Sequence, residues 1–256
     1  GYLNNNGVLK TTNHVNKSLS ANLTAKLLDD ALTISLKSKS GLSNDRFAPN
    51  VMGAALTFDP TRPVFDADSK YGGYYQWKDP LAVNNPVSTL DLTNETGQST
   101  RLLNNLSLSY NLPFLKGLSF NSNLGYDYTI GKKRNLRDPL LKDGDVFNRN
   151  GYLFNEDLRN YSALIETYGI YKTKFKSINS GMELTFGHSW QETDRENRWE
   201  EGNGLEMIGG EYAYTTDIRK DSFLVQNRLI SFFGRANFTV NDKYLLTASV
   251  RRDGSS

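Results

Sequence analysis

Side chains that could carry out catalysis are few and widely separated in this sequence. The 256 residues contain no cysteine and only two histidines, His14 and His188. A thiolate nucleophile, a disulfide and a cysteine metal site are therefore excluded, and the two histidines lack metal-ligand spacing. Alternation along the chain places His188 on the same strand face as Phe186 and Trp190. That position predicts a side chain at an interface rather than a ligand.

Two closely spaced carboxylate pairs, Asp143 with Asp145 and Asp194 with Glu196, could in principle serve as the acid and base of a glycoside hydrolase. Both pairs lie in charge-rich segments, for which a solvated surface is the ordinary explanation. The sequence also lacks a GxSxG elbow, a phosphate-binding loop and a dinucleotide fingerprint. We therefore predict that the protein is not an enzyme and that it holds no cofactor.

The segment DADSKYGG at 66–73 has a faint likeness to a calcium-binding loop. Tyr71 occupies the position at which such a loop needs glycine. A loop rich in turns explains the segment better, so no metal site is predicted here.

The segment YGGYYQW at 71–77 has a composition typical of a binding surface. Tyrosine and tryptophan faces stack on sugar rings and anchor protein partners, and the two glycines permit tight turns between them. Two aspartates just upstream would supply acceptors for hydroxyl or amide groups. The alternative is a loop packed by its own aromatic side chains. The predicted substrate-binding or partner-binding residues are Asp66, Asp68, Tyr71, Tyr74, Tyr75 and Trp77.

Composition limits the elements that can position these residues. Charge is nearly balanced, with 30 basic and 28 acidic residues, which argues against a nucleic-acid-binding arm or a polybasic membrane anchor. Only 38% of the residues are hydrophobic, which is low for a protein with a large buried core. No run of 18 apolar residues occurs, so no transmembrane helix is predicted. No signal peptide begins at Gly1, and we expect the chain to be a piece of a longer protein.

Hydrophobic and polar residues alternate in eight segments, which predicts β-strands with two unlike faces. Within 19–27 every odd position is Leu or Ala, whereas the even positions are Ser, Asn, Thr and Lys. A further strand near 160–174 is predicted, but the pattern does not fix its register. The other alternating segments are 32–36, 102–112, 118–130, 178–191, about 224–240 and the stretch from Tyr244 onward.

The eight predicted strands form four hairpins, and short and long connections alternate between them. All the long connections are therefore expected at one edge of the sheet. The predicted hairpin turns are 28–31, 113–117, 174–177 and 241–243, and the predicted long connections are roughly 44–100, 131–159 and 192–222.

Strand length and loop asymmetry favour a membrane barrel over a soluble sandwich. Sandwich strands usually have about 5–6 residues, whereas strands of roughly 13 residues, tilted by about 40°, cover roughly 33 Å of height. Outer-membrane barrels have an apolar band of about 25 Å, short periplasmic turns and long extracellular loops. Tyr110 and Tyr244 lie beside short turns, and Trp190 lies toward a long loop, as in the aromatic belts of membrane interfaces. The predicted fold is an all-β, antiparallel up-and-down transmembrane barrel segment.

The segment SFFGRANFTVNDKYLLTASVRRDGSS at 231–256 closely resembles the SusC/RagA family of TonB-dependent outer-membrane transporters. That family typically reads YFGR-x-N-Y, then a short turn, then KYLL-x-A-S-x-RRDGSS, and here Phe232 replaces the usual tyrosine. The segment RLLNNLSLSYNLPFLKGLSFNSNLGYDY at 101–128 looks like a hairpin of the same family. KDPLA at 78–82 resembles its NPLA loop, with Asp79 in place of asparagine.

The resemblance implies a 22-stranded barrel around an N-terminal plug domain. Residues 1–256 would then be a partial barrel domain without the plug, the TonB box and the remaining strands. Family members import oligosaccharides or peptides with energy passed through the TonB complex, and a SusD-like surface lipoprotein covers the barrel as a lid. The implied location is the outer membrane of a Gram-negative bacterium, with lipid against the apolar face and no nucleic-acid partner.

Two other functions also fit the residues. A passive porin or adhesin barrel shares the alternation but needs neither a plug nor a TonB box. A soluble glycan-binding or hydrolytic β-domain would instead fold without detergent. In the transporter hypothesis, we expect the connection 44–100 to lie outside the cell and to help hold the substrate or the lid lipoprotein.

Overall fold

A single antiparallel sheet makes up most of the structure, a computed structural model that describes residues 1–79, 81–175, 179–241 and 243–256. Each strand pairs with its neighbours in sequence, so nine strands follow one another across the described sheet without a crossover. The strands are β1 (Tyr2–Asn6), β2 (Asn13–Leu27), β3 (Leu32–Phe47), β4 (Thr93–Asn111), β5 (Leu118–Arg137), β6 (Tyr152–Phe175), β7 (Ser180–Ile208), β8 (Glu211–Val240) and β9 (Tyr244–Ser255). This order confirms the predicted all-β, up-and-down fold.

Two short helices, α1 (Met52–Thr57) and α2 (Pro86–Asp91), lie between β3 and β4. Within the described residues, no helix combines the length and the apolar character needed to cross a bilayer.

The register brings the apolar residues of successive strands onto one face of the sheet, which we call the outer face. Leu19 and Leu246 on this face are 72% and 66% exposed, so no other part of the described chain covers it. His188 shares the face, with its ring 5.0 Å from that of Phe232. Ser, Asn, Thr and charged side chains predominate on the opposite, inner face. One outer-face row across seven strands is Leu23, Leu36, Leu106, Leu124, Ile165, Trp190 and Ile230.

The structure fixes the register of β6, which the sequence left open. Ile165 takes an outer-face position opposite Leu124. Leu164 and Ile170 have the opposite parity and point inward, whereas Thr167 lies on the outer face. Because both faces of β6 mix polar and apolar residues, the two-residue period is weak in this strand.

The short turns lie together at one edge of the sheet, which we call the turn edge. Residues 28–31 form the predicted turn between β2 and β3. At the next turn Gly117 has φ +90°, and a Cβ there would lie 2.1 Å from the carbonyl oxygen of Lys172, so glycine is required. Parts of three predicted features, the KDPLA segment and the turns 174–177 and 241–243, lie outside the described residues, as does Ile178.

The opposite edge, which we call the loop edge, differs from the prediction in the length of its connections. Two of them are shorter than predicted because the strands continue beyond their alternating parts: residues 48–92 (loop A) and 138–151 (loop B). The third predicted long connection, 192–222, is wrong. There β7 and β8 continue as a ladder and meet at Gly209 and Gly210, with φ +62° and +90°.

The upper parts of β7 and β8 escape detection in the sequence because both faces carry charge. Lys220 lies 2.8 Å from Glu200, and Arg219 lies 2.7 Å from Glu201. Ion pairs of this kind replace apolar contacts, so hydrophobicity does not alternate and the segment resembles a loop. The strand β1 is missed for a different reason, because its uncharged sequence YLNNN shows no alternation of apolar and polar residues. With this strand, the described residues form nine strands where eight were predicted.

The buried apolar side chains of the described residues lie at the loop edge, not between two layers of structure. The compact part of the molecule is therefore the loop edge, while the sheet presents two different faces to its surroundings. The buried residues are Val51, Leu141, Val146, Leu153 and Leu205.

Candidate functional site at the loop edge

Loop A is folded around a short hairpin within the predicted binding segment. Phe65 and Tyr74 form an antiparallel bridge, and the amide of Asp66 donates to the carbonyl oxygen of Gly73 at 2.9 Å. Gly72 and Gly73 have φ +66° and +77°, a conformation that other residues rarely adopt. The two glycines of YGGYYQW therefore reverse the chain direction.

Asn85 holds loop A together from its centre, although the sequence did not single it out. The residue is 1% exposed. Its Nδ2 donates to the carbonyl oxygens of Val64 at 2.8 Å and Tyr75 at 3.1 Å, and its Oδ1 accepts from the amide of Val87 at 3.0 Å. An asparagine followed by Pro86 is the signal that could have revealed it, since this is an N-cap with proline at the first helical position.

The four predicted aromatic residues are divided among three ring clusters, one of which pairs Tyr74 with Phe65. Tyr75 and Trp77 stand edge to face with ring centroids 5.7 Å apart, and the guanidinium of Arg62 lies 4.8 Å from the Trp77 ring. Tyr71 packs on Phe147 of loop B, at 4.7 Å. No ring contact joins Tyr71 to either of the other two clusters in the described part of the chain. All these tyrosine and tryptophan side chains are half-buried, so each keeps part of its ring open to a ligand.

The remaining three predicted residues have local partners. The Tyr74 ring lies 5.4 Å from Phe65, and its hydroxyl donates to Asp91 at 3.0 Å. Burial, assisted by this carboxylate, raises the pKa of Tyr74. The Asp66 carboxylate accepts from the amide of Asp68 at 3.2 Å, while Asp68 itself is exposed. Across the described residues, no group of three or more His, Asp or Glu side chains is placed to hold a metal ion.

Lys142 of loop B fastens the two loops to each other. Its Nζ donates to the carbonyl oxygen of Trp77 at 2.9 Å and to that of Asp79 at 3.2 Å. Burial lowers the pKa of Lys142, and the Asp79 carboxylate opposes this effect. Loops A and B therefore form one unit, and a ligand on its surface would meet residues of both.

The tip of the β7–β8 hairpin joins the same unit by bending over the ends of β5 and β6. The ladder changes register between Glu201 and Asn203. Beyond this point the carbonyl oxygen of Tyr212 accepts from Arg134 at 3.4 Å, and its hydroxyl donates to Asp138 at 3.3 Å. Tyr212 thus contacts the end of β5 and the start of loop B, neither of which is a strand neighbour of β8, and the hairpin tip closes one side of the loop edge.

Below the loops, the inner face forms a polar wall. Arg101 and Asp127 are joined by two hydrogen bonds of 2.9 and 2.5 Å, and Lys133 binds Glu95 at 2.8 Å. Lys37 has no ion pair within 4 Å among the described residues. Such a wall suits contact with water, hydrated solutes or another polar protein surface.

The carboxylates that could have served a hydrolase are held in other interactions. In loop B, the Asp143 carboxylate lies 3.1 Å from Arg137, and the Asp145 carboxylate lies 3.2 Å from Arg149. The second pair, Asp194 and Glu196, lies on the outer face, on the side of the sheet opposite the polar wall.

The fold and its two faces define the class of protein. A meander of long antiparallel strands, apolar and exposed on one face and polar on the other, is the wall of an outer-membrane β-barrel. Solved structures agree. The RagAB peptide importer in its closed-closed state superposes with a TM-score of 0.77 at 17% identity, covering 100% of this chain and 29% of that chain. A second structure, of the RagAB peptide transporter, superposes with a TM-score of 0.73 at 18% identity and covers 95% of this chain and 28% of that chain.

Sequence relatives give the family. The TonB-dependent receptor SusC of Bacteroides thetaiotaomicron is 30% identical over all of this chain, which spans 27% of that protein. The TonB-dependent receptor P3 of Formosa agariphila is 25% identical over 81% of this chain and 20% of its own length. No protein-family model matches. The chain is a SusC/RagA-like segment of a TonB-dependent receptor, located in the outer membrane, and it spans about a quarter of the curated relatives it matches.

Proposed function

We propose that the protein containing this chain is a TonB-energised nutrient importer of the outer membrane. The observation that carries the proposal is the pairing of an exposed apolar outer face with a polar inner wall. Residues along the whole of this chain align with SusC. Residues 1–256 form part of a barrel domain of about 22 strands. The plug, the TonB box and the other strands belong to the rest of the full-length protein, and loops A and B lie outside the cell.

The substrate class that fits best is an oligosaccharide or a peptide. The related RagAB structures are described as a peptide importer, which supports a peptide, while the half-buried rings of Tyr75 and Trp77 would also stack on sugars. A SusD-like lipoprotein acts as a lid over the loop edge. The loop edge is compact enough to support such a partner, since Lys142 and Tyr212 tie its three segments into one surface.

Dependence on TonB separates this importer from a passive porin or adhesin barrel. Uptake of a labelled oligosaccharide or peptide pool is measured in cells that express the full-length protein, with and without a functional TonB. An importer loses uptake when TonB is removed, whereas a porin keeps it. Uptake that is equal in the two strains would overturn the proposal.

We further propose that Asp66, Asp68, Tyr71, Tyr74, Tyr75 and Trp77 contribute to holding the substrate or the lid lipoprotein. Replacing the four aromatic residues with alanine is expected to leave membrane insertion intact, because none of the described residues of loop A belongs to a spanning strand. Uptake or co-purification of the lipoprotein should fall by about tenfold, which corresponds to about 1.4 kcal/mol of lost contact.

A matched control is Phe114→Ala, which removes an aromatic ring that is 81% exposed at the turn edge. Insertion of every variant is checked by heat-modifiable electrophoretic mobility. If the fourfold variant and Phe114→Ala give the same uptake and the same co-purification, loop A is a surface loop packed by its own aromatic side chains.

A further inference from the structure

The apolar band of the outer face ends toward the loop edge in a line of basic side chains. On five of the eight long strands, the first outer-face residue beyond the band is Lys or Arg. On β3 and β4 the first outer-face residue beyond the band is neutral, and on β7 it is Glu192. Glu192 is neutralised by Arg228, whose Nη2 and Nε lie 2.7 and 2.8 Å from it. The basic residues are Lys17, Lys132, Arg159, Arg228 and Arg252.

Between β5, β6 and β7 this line deepens into a cleft of about 250 Å³ on the outer face. Two cross-strand rows form it. The lower row places Ile130 beside Arg159 and Glu196, and the upper row places Lys132 beside Asp157 and then Arg198. All these residues have outer-face parity. The cleft therefore opens away from the inner wall, at the level where the apolar surface stops.

The cleft contains more positive than negative charge. Glu196 accepts from both Arg159, at 3.2 Å, and Arg198, so two guanidinium groups share one carboxylate. Lys132 has no ion pair within 4 Å in the described part of the chain, although Asp157 is its cross-strand neighbour. An exposed ammonium group and two partly satisfied guanidinium groups form a favourable site for phosphate oxygens.

The surface immediately below the cleft is suited to lipid. Ile130 forms its lower end, and Tyr126 contacts Tyr128 and Tyr161 there, with ring centroids 6.3 and 5.7 Å apart. Aromatic rings of this kind favour the boundary between headgroups and acyl chains. An anion bound in the cleft would therefore sit at headgroup depth, with apolar surface available beneath it for its own acyl chains.

We propose that this cleft binds the phosphate group of a lipid in the extracellular leaflet, with Lys132 and Arg159 contacting the phosphate oxygens. The inference rests on the proposed orientation of the barrel, with the loop edge outside the cell, and not on what the protein imports.

The test uses the purified full-length receptor in detergent. The receptor is titrated with lipid A that carries two phosphates and, separately, with the same lipid after removal of its phosphates. A third titration uses inorganic phosphate. Bound lipid is counted by native mass spectrometry. Wild-type protein should bind the phosphorylated lipid at least about tenfold more tightly than the dephosphorylated lipid. Lys132→Gln should lose about tenfold in affinity for the phosphorylated form, because a charged hydrogen-bonding partner is removed.

Lys133→Gln is the matched control, since it changes the same residue type one position along the same strand but on the inner face. It should bind lipid as the wild type does, and Lys132→Arg should retain binding. Equal affinities of Lys132→Gln and Lys133→Gln would overturn the proposal, as would equal binding of the two lipid forms. Displacement by inorganic phosphate at equimolar concentration would overturn the assignment to a lipid.

Uptake is measured in the same variants to keep the two proposals separate. Lys132→Gln should import normally, because the cleft faces away from the inner wall. TonB-independent uptake with intact lipid binding would overturn the proposed function and support the lipid site.

Discussion

At the scale of single residues, two polar side chains determine how the loop edge is arranged. Asn85 joins carbonyl oxygens on both sides of the loop A hairpin, and Lys142 joins loop B to the chain just after it. The aromatic residues of YGGYYQW fill the space that these hydrogen bonds define. Contacts to a ligand would come from the aromatic rings, whereas the positions of these rings depend on the side-chain amide of Asn85 and the ammonium group of Lys142.

We expect Asn85→Ala to loosen loop A. The change removes the Asn85 donor from the carbonyl oxygen of Tyr75 and one of the two donors to that of Val64, which keeps the Tyr75 amide, at a cost of about 1–3 kcal/mol. In the full-length protein, protease cleavage within 48–92 should become several-fold faster, while heat-modifiable mobility stays unchanged. Asn22→Ala, on the exposed inner face of β2, serves as the control. Equal cleavage of the two variants would mean that Asn85 does not hold the loop.

Residue types alone revealed the segment 71–77 of this site in the sequence. They could not reveal the hydrogen-bond partners of Asn85 and Lys142. The glycines and aromatic residues of 71–77 form a recognisable local pattern. The hydrogen bond from Asn85 reaches a carbonyl group 21 positions away, and the one from Lys142 reaches a carbonyl group 65 positions away. No periodicity within a short window can indicate such contacts, since they depend on how two loops pack.

At the scale of elements, β9 shows the consequence of having two unlike faces. Leu246 lies on the outer face opposite Phe238. Thr247 lies on the inner face, where its hydroxyl donates to Asn237 at 2.9 Å. Consecutive residues of one strand therefore have different surroundings.

We expect Leu246→Arg to damage barrel assembly, and Thr247→Arg to be tolerated better. An arginine on the lipid face at mid-depth costs about 2–4 kcal/mol, whereas an arginine on the inner face stays among polar groups. Urea titrations of folding and heat-modifiable mobility of the full-length protein compare the two variants. Equal effects, or the reverse order, would contradict the assignment of the faces.

The tip of the β7–β8 hairpin depends on its two glycines. Their φ values of +62° and +90° match a type I′ turn, which favours Asn-Gly or Gly-Gly. Gly210→Val places a β-branched residue at positive φ, at a cost of about 1–3 kcal/mol, so hydrogen exchange of 203–216 should become at least about fivefold faster. Gly209→Asn should leave exchange unchanged. If Gly210→Val exchanges no faster than Gly209→Asn, the turn does not control the tip.

At the scale of the whole molecule, the part of the fold that lies in lipid was the part that the sequence predicted. Apolar side chains must alternate where one face meets lipid, so the lower parts of β2 to β9 showed a period of two, β6 excepted. Above the band both faces meet water or protein, and ion pairs such as Lys220–Glu200 hold the ladder. The upper part of the β7–β8 hairpin was therefore mistaken for a connection.

The sheet described here has two strand edges, at β1 and β9, without a partner in the described chain. In lipid, unpaired backbone groups cost several kcal/mol each. We expect residues 1–256 expressed alone to fail to insert into vesicles as a monomer, whereas the full-length protein inserts. Vesicle flotation and heat-modifiable mobility measure this. A heat-modifiable monomer of the 256-residue chain would show that the sheet closes on itself.

Loop A begins and ends on paired residues, since Phe47 lies opposite Glu95 in the ladder of β3 and β4. A chain fixed at two adjacent points loses little entropy when it becomes longer, because each doubling of loop length costs only about 0.6 kcal/mol. Residues 48–92 could thus be exchanged in evolution for a segment of another length and chemistry without any change to the strands below. The same strand framework could in this way present loops of different size and chemistry, with one insert replaced at a time.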